Sequence, residues 1–228
     1  MFHFAGGNSY SFRFMNPNLK EFEVVAIELP GRGMRYDEPL VTDYNHILKD
    51  IYRQVINRLD SETFLLYGHS MGAILAFHVV KMLEEVGLHP LHLIVTGSPG
   101  PKIKTNEKIY LMDDKSFIEK VKELGGLPEE IYKSQEILDY FIPILKADFE
   151  ICDKNTLDVD SVIHTPIFCI MGDDEKQSSS ILNWSKYTRS LFQCEIHSGN
   201  HFFIYNSVQR ISEIIKNCSN ILQKKIIN

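Results

Sequence analysis

The chain reads as an α/β protein with a mostly parallel central sheet flanked by helices. Three observations predict it. Short apolar runs alternate along the chain with stretches of helical periodicity, the pattern of buried parallel strands joined by crossover helices. At 228 residues the chain is long enough for one sizeable core, so a single domain over 1–228 is expected. A content of 44% hydrophobic and 24% charged residues, with nine scattered prolines, is that of an ordinary globular chain and argues against disorder.

Candidate strands are Phe2 to Ala5, Val24 to Leu29, Phe64 to Tyr67, Leu91 to Thr96, Pro166 to Met171 and Phe192 to Ile196. Between them, Tyr44 to Leu59 sets Ile47, Leu48, Ile51, Val55, Ile56 and Leu59 on one helical face, with Thr42 or Asp43 as cap. Met71 to Glu85 forms a second helix closed by Gly87. A last helix from about Ser207 to Lys224 turns Val208, Ile211, Ile214, Ile215, Cys218 and Leu222 inward. The stretch from Gly97 to Pro166 is too long for an ordinary connection and must hold structure of its own. Ser116 to Leu124 and Ile131 to Ile151 have helical spacing, with Gly125-Gly126 and Pro128 between them and Pro143 as a kink point. The reading is a helical lid insertion at approximately 105–160, against the alternative that these helices complete the core.

Composition excludes several functions. A net charge of −6, with no basic stripe, gives no footprint for nucleic acid. No apolar run is long enough for a membrane span, and the N-terminus lacks the layout of a signal peptide, so a cytoplasmic protein is expected. Cys152, Cys169, Cys194 and Cys218 form no C-x-x-C pair and read as reduced, mostly buried thiols.

Gly68-His69-Ser70-Met71-Gly72 fits G-x-S-x-G, placed after an apolar strand and before an amphipathic helix. Two glycines permit a sharp turn that holds Ser70 exposed, and the Met71 N–H at the helix start can face a developing oxyanion. Together these features indicate an α/β-hydrolase fold with Ser70 as nucleophile. A serine needs a base oriented by a carboxylate, and in this fold they follow in the order Ser, Asp/Glu, His. His201 stands directly after the last strand and is the expected base; His197 ends that strand and reads as structural. Their spacing of four would suit a helical metal pair, but Gly199 and Asn200 argue for a loop, so no metal is expected. The acid lies among Asp173, Asp174 and Glu175, which composition cannot separate. The second oxyanion donor is expected from the Gly6-Gly7 loop, at the Ala5 N–H, against the alternative of a plain turn.

These residues resemble the type II, or editing, thioesterases of nonribosomal peptide and polyketide synthases. The resemblance covers almost the whole chain. It rests on Phe4-Ala5-Gly6-Gly7-x-Ser9-x-x-Phe12, Leu29-Pro30-Gly31-Arg32-Gly33-x-Arg35, the elbow, Leu124-Gly125-Gly126-x-Pro128, Ala147-Asp148-Phe149-Glu150 and Gly199-x-His201-Phe202-Phe203. It implies Asp174 as the triad acid, counted back from Trp184, with Asp173 as fallback because a one-residue gap is needed. It also supports Ala5 and Met71 as oxyanion donors and the insertion as a lid over the acyl and phosphopantetheine channel. His3 stands where the family usually has proline, the first strand begins unusually early and should be short or frayed, and His3 has no assigned role. Arg32 and Arg35 read as a turn with a surface ion pair, phosphate contact being the alternative.

The expected function is hydrolysis of acyl thioesters from the phosphopantetheine arm of an acyl or peptidyl carrier protein, by a monomer needing no cofactor. Lys115, Lys120 and Lys122 are candidates for a local docking patch, or merely the solvated side of a helix. Rival readings are a medium-chain fatty acyl thioesterase, a carboxylester hydrolase, and a non-catalytic binding module that keeps the elbow as scaffold.

Overall fold

The computed structural model describes residues 1–61, 63–103, 108–123, 129–154 and 161–225. At its centre β1 (Leu66–His69), β2 (Leu93–Thr96), β3 (Ile167–Gly172) and β4 (Phe192–His197) form a parallel sheet in the order β1-β2-β3-β4. The register pairs His69 with Thr96 and Thr96 with Ile170, so the strands' C-terminal ends lie along one edge.

Along each strand the side chains alternate between two layers, as the pleat requires. Leu93, Val95, Ile167, Cys169 and Met171 pack with α1 (Tyr44–Ile56) and α2 (Met71–Glu85). Tyr67, Ile94, Phe168 and Ile170 turn to the opposite face. The Asp43 carboxylate caps α1 by accepting from the His46 N–H at 2.6 Å, and Gly87, at φ +80°, follows the end of α2.

Between β2 and β3 lie α3 (Asp114–Glu123), α4 (Glu129–Tyr132) and α5 (Gln135–Asp153), which runs through Pro143 as one helix. Ile109, Phe117, Val121, Ile142 and Leu145 form a small cluster of their own, whereas Ile151, near the end of α5, joins the main core. The insertion is therefore rooted in the core at the C-terminal end of α5 and has a small apolar cluster of its own. Both ends of the expected lid interval and the Leu124-to-Pro128 motif lie outside the described residues. The chain closes with α6 (Val208–Lys225), whose Ile211, Ile214, Ile215 and Cys218 cover the second face of the sheet. Leu222 lies outside the residues whose side chains are described.

Two expected strands are reduced to single bridges, Phe2 to both Gly68 and Ile27. Phe2 reaches the edge of β1 through its N–H to the Tyr67 carbonyl (2.8 Å), and the chain then turns at once, Gly7 N–H bonding to the Phe4 carbonyl (2.9 Å). The expectation of a short first strand is met; the longer run to Leu29 is a correction, because Ile27 alone forms a bridge there. The four cysteines form no disulfide, but only Cys169 and Cys218 are buried, Cys194 being intermediate and Cys152 exposed at the last turn of α5. Among the described residues no helix is long and apolar enough to cross a membrane.

Candidate active site

The turn from β1 into α2 is enforced by contact distances. A Cβ on Gly68 would lie 2.3 Å from the Gly72 carbonyl oxygen, and one on Gly72 would lie 2.1 Å from the Phe2 carbonyl oxygen. Only glycine lets the helix start, the strand end and the Phe2 backbone meet this closely. Ser70 between them takes φ 56° and ψ −118°, a conformation that non-glycine residues rarely adopt, and its N–H is held by the Thr96 carbonyl at 2.8 Å. Met71 is the first residue of α2, so its N–H is among the donors a helix leaves without an internal partner.

The loop after β4 brings His201 to this serine, Nε2 to Oγ at 2.9 Å. Behind the His201 ring, at 4.9 Å, lies the His69 ring, bonded through Nδ1 to the Thr96 hydroxyl at 2.9 Å. Burial, then the proximity of His201, holds the His69 pKa well below its ordinary value, so His69 is a neutral backing group. Gly97 makes room for both rings: a Cβ there would meet His69 at 2.4 Å and His201 at 3.2 Å.

The carboxylate on His201 is that of Glu175, Oε1 to Nδ1 at 2.7 Å, and this corrects the placement of Asp174 as its partner. The cause is the turn after β3. Glu175 N–H bonds to the Gly172 carbonyl (3.2 Å), folding the third residue beyond the strand back over its end, where Gly172 N–H holds Oε2 at 2.7 Å. Asp174 is carried to the exposed rim, and Asp173 accepts from the Gly199 N–H at 2.7 Å, bracing the histidine loop. The sequence signal that could have found Glu175 was the glycine ending the strand, since a tight turn there returns the residue three positions later. His197 pairs with Glu195 at 3.0 Å and packs against Phe203, apart from Ser70, as its position at the end of β4 suggested.

The glycine loop expected to supply a second donor is held at several points. Phe4 C=O accepts from Gly7 N–H, Gly6 N–H donates to Asp148 at 2.7 Å, and both the Ser9 N–H (3.0 Å) and hydroxyl (2.6 Å) donate to the buried Glu28. Arg32, expected in a surface ion pair, is instead 3% exposed and bidentate to the fully buried Asp148 of α5. Its two terminal nitrogens are thereby committed to that carboxylate, which leaves no basis for phosphate contact. Arg35 makes the more superficial pairs, with Glu38 and Asp50. Of the candidate docking lysines, Lys120 pairs with Glu123, Lys122 lies over the Tyr132 ring, and Lys115 is exposed.

Ser70, Met71, Ala5 and His201 open onto a cavity of about 630 Å³ between the sheet edge and the insertion, walled by apolar side chains such as Ile74, Ile109 and Phe149. That size lies within the range of small-molecule sites. The arrangement suits acyl transfer: a hydroxyl beside a base, and a carboxylate fixing the base's tautomer.

The chain matches the family model described as thioesterase domain over residues 1–222. It is 32% identical over 222 residues to the probable anguibactin biosynthesis thioesterase AngT of Vibrio anguillarum, covering 93% of this chain and 88% of that protein. It is 31% identical over 215 residues to the gramicidin S biosynthesis protein GrsT of Aneurinibacillus migulanus, covering 92% and 84%. Among solved structures it is similar to RedJ, a thioesterase from the prodiginine biosynthetic pathway in Streptomyces coelicolor. There the TM-score is 0.87 at 28% identity, over 95% of this chain and 83% of that one.

Proposed function

Because the chain belongs to the thioesterase family, we propose that it clears acyl groups from the phosphopantetheine arm of carrier proteins in nonribosomal peptide or polyketide synthesis. The observation that carries this reading is the hydrogen-bonded file Ser70, His201, Glu175 at the wall of the acyl-sized cavity.

In the proposed mechanism Ser70 Oγ attacks the thioester carbonyl while His201 Nε2 takes its proton. The carbonyl π bond opens to an oxyanion facing the N–H groups of Ala5 and Met71. The tetrahedral intermediate collapses, the C–S bond breaks, and His201 returns the proton to the departing thiolate. Water then enters, loses a proton to His201 and attacks the acyl-Ser70 carbonyl; collapse releases the carboxylic acid and regenerates the Ser70 hydroxyl. Glu175, bonded to Nδ1, keeps Nε2 free to accept and stabilises the imidazolium that forms twice per cycle. No cofactor enters this scheme, and the insertion supplies acyl contacts and excludes water.

The test is kcat/KM for matched acyl groups on a carrier protein and on CoA. The proposal expects higher values on the carrier, with modest discrimination among short acyl chains, since each methylene in an apolar pocket contributes only about 1–3 kcal/mol. Equal values on both would leave a thioesterase without a carrier preference, and faster turnover of simple esters would point to a carboxylester hydrolase.

A further inference from the structure

The Ala5 N–H belongs to a peptide plane whose other polar atom is the Phe4 carbonyl. That carbonyl accepts from two donors, the Gly7 N–H and the His3 ring at Nδ1, each at 2.9 Å. The next peptide plane is held by α5, Gly6 N–H donating to Asp148 Oδ2 at 2.7 Å. Gly6 stands at φ +76°, and a Cβ there would meet Leu145 of α5 at 2.6 Å, so the loop lies directly against the helix that carries Asp148.

His3 is buried beside the Arg32–Asp148 pair. Burial, and then the Arg32 charge, lowers its pKa to about 4, so at neutral pH it carries one ring proton. A carbonyl only accepts, which places that proton on Nδ1; Nε2 is buried without a partner. A buried ion pair is weak evidence of stabilisation, because its desolvation cost offsets most of the attraction. What Asp148 offers that an apolar side chain of similar volume would not is an acceptor for the Gly6 N–H.

We propose that His3 and Asp148 are positioning residues that aim the Ala5 N–H at the oxyanion, His3 from the sheet side and Asp148, held by Arg32, from the insertion. This rests on the acyl-Ser70 reading above. It follows that α5 does more than cover the cavity: through Asp148 it helps set the direction of the oxyanion donor.

Two matched pairs of variants isolate the donors and acceptors from the fold. His3→Asn keeps an N–H donor at the same number of bonds from Cα, and His3→Leu removes it. Arg32→Met/Asp148→Asn keeps an acceptor for Gly6 in a charge-free site, and Arg32→Met/Asp148→Leu removes that acceptor. Each is assayed for kcat, KM, affinity for an alkyl trifluoromethyl ketone that forms a tetrahedral adduct with serine, and melting temperature. Loss of an oxyanion donor costs about 10²–10³ in kcat, so misaiming one should lower kcat by about 10- to 100-fold in each Leu variant, with KM within about twofold. The ketone should weaken in parallel, and each Asn variant should retain most of kcat. Equal kcat for Leu and Asn partners at both positions would overturn the proposal, as would losses confined to KM or to melting temperature. The two positions are read separately, so a Leu variant that fails to fold at one leaves the other decisive. Ser70→Ala is assayed alongside: full activity there overturns the acyl-serine reading itself, whereas an inactive Ser70→Ala with unaffected Leu variants overturns only the positioning roles.

Discussion

The elbow after β1 and the acid loop after β3 both deliver a side chain to the C-terminal edge of one parallel sheet, but by different means. At the elbow, position is enforced by steric exclusion: Gly68 and Gly72 have no room for a Cβ, and Ser70 is held at φ 56°. In the acid loop, three consecutive carboxylates share one turn, and only hydrogen bonds from Gly172 and Gly199 decide which of them meets His201. A position fixed by excluded volume is written into residue types and can be read from sequence. One fixed by the pitch of a turn cannot, because Asp173, Asp174 and Glu175 are chemically interchangeable until the turn is built.

The comparison is broken most directly at the nucleophile. Ser70→Ala should lower kcat/KM by about a thousandfold or more, as expected for one member of a cooperating set; a variant within about tenfold of wild type would remove Ser70 from the mechanism. In the acid loop, Glu175→Gln should lower kcat/KM by about a hundredfold or more through loss of tautomer control, while Asp174→Asn stays within about threefold. Steady-state rates with one acyl-carrier substrate check both.

At the elbow a single methyl should suffice to break the turn. Gly72→Ala forces a carbon against the Phe2 carbonyl, and chemical denaturation should show a loss of about 2–3 kcal/mol or more. An alanine there with unchanged stability would show that the elbow is not held by exclusion.

Buried histidines around the elbow set an acid limit on the fold. His3 and His78 are each held to about 4 by burial, against an ordinary 6.5. Between those values the unfolded chain binds more protons than the folded one, so stability rises with pH across that window and is lost as pH falls through it. The contribution of His3 alone is on the order of 3 kcal/mol. Denaturation midpoints should therefore fall steadily from pH 6.5 to 4, and His3→Asn should flatten that dependence. The smallest effect is expected at the insertion's surface, where Lys115→Glu should reduce kcat/KM for carrier-bound substrate by a few fold and leave a CoA substrate unchanged.

Much of the architecture was legible for the same reason as the elbow. Short apolar runs marked β1 to β3, the alternating Phe192, Cys194 and Ile196 marked β4, and the facing of Ile47, Ile51 and Val55 marked α1. Val24 to Leu29 misled because an apolar run signals burial and not pairing, and Ile27 makes only an isolated bridge to Phe2. Arg32 was read as a surface residue because its partner lies 116 positions away on the insertion, a contact no local pattern encodes. His3 had no role in sequence terms since its bond is to the carbonyl of its own neighbour, Phe4.

The most direct test of the assembled site is the rate at which a fluorophosphonate labels the protein, with the label mapped to a peptide, in wild type, Asp174→Asn and Glu175→Gln. The account predicts one label on Ser70, a similar rate in wild type and Asp174→Asn, and a rate lower by about a hundredfold in Glu175→Gln. Slow labelling of Asp174→Asn beside rapid labelling of Glu175→Gln, or a label on any residue other than Ser70, would contradict it.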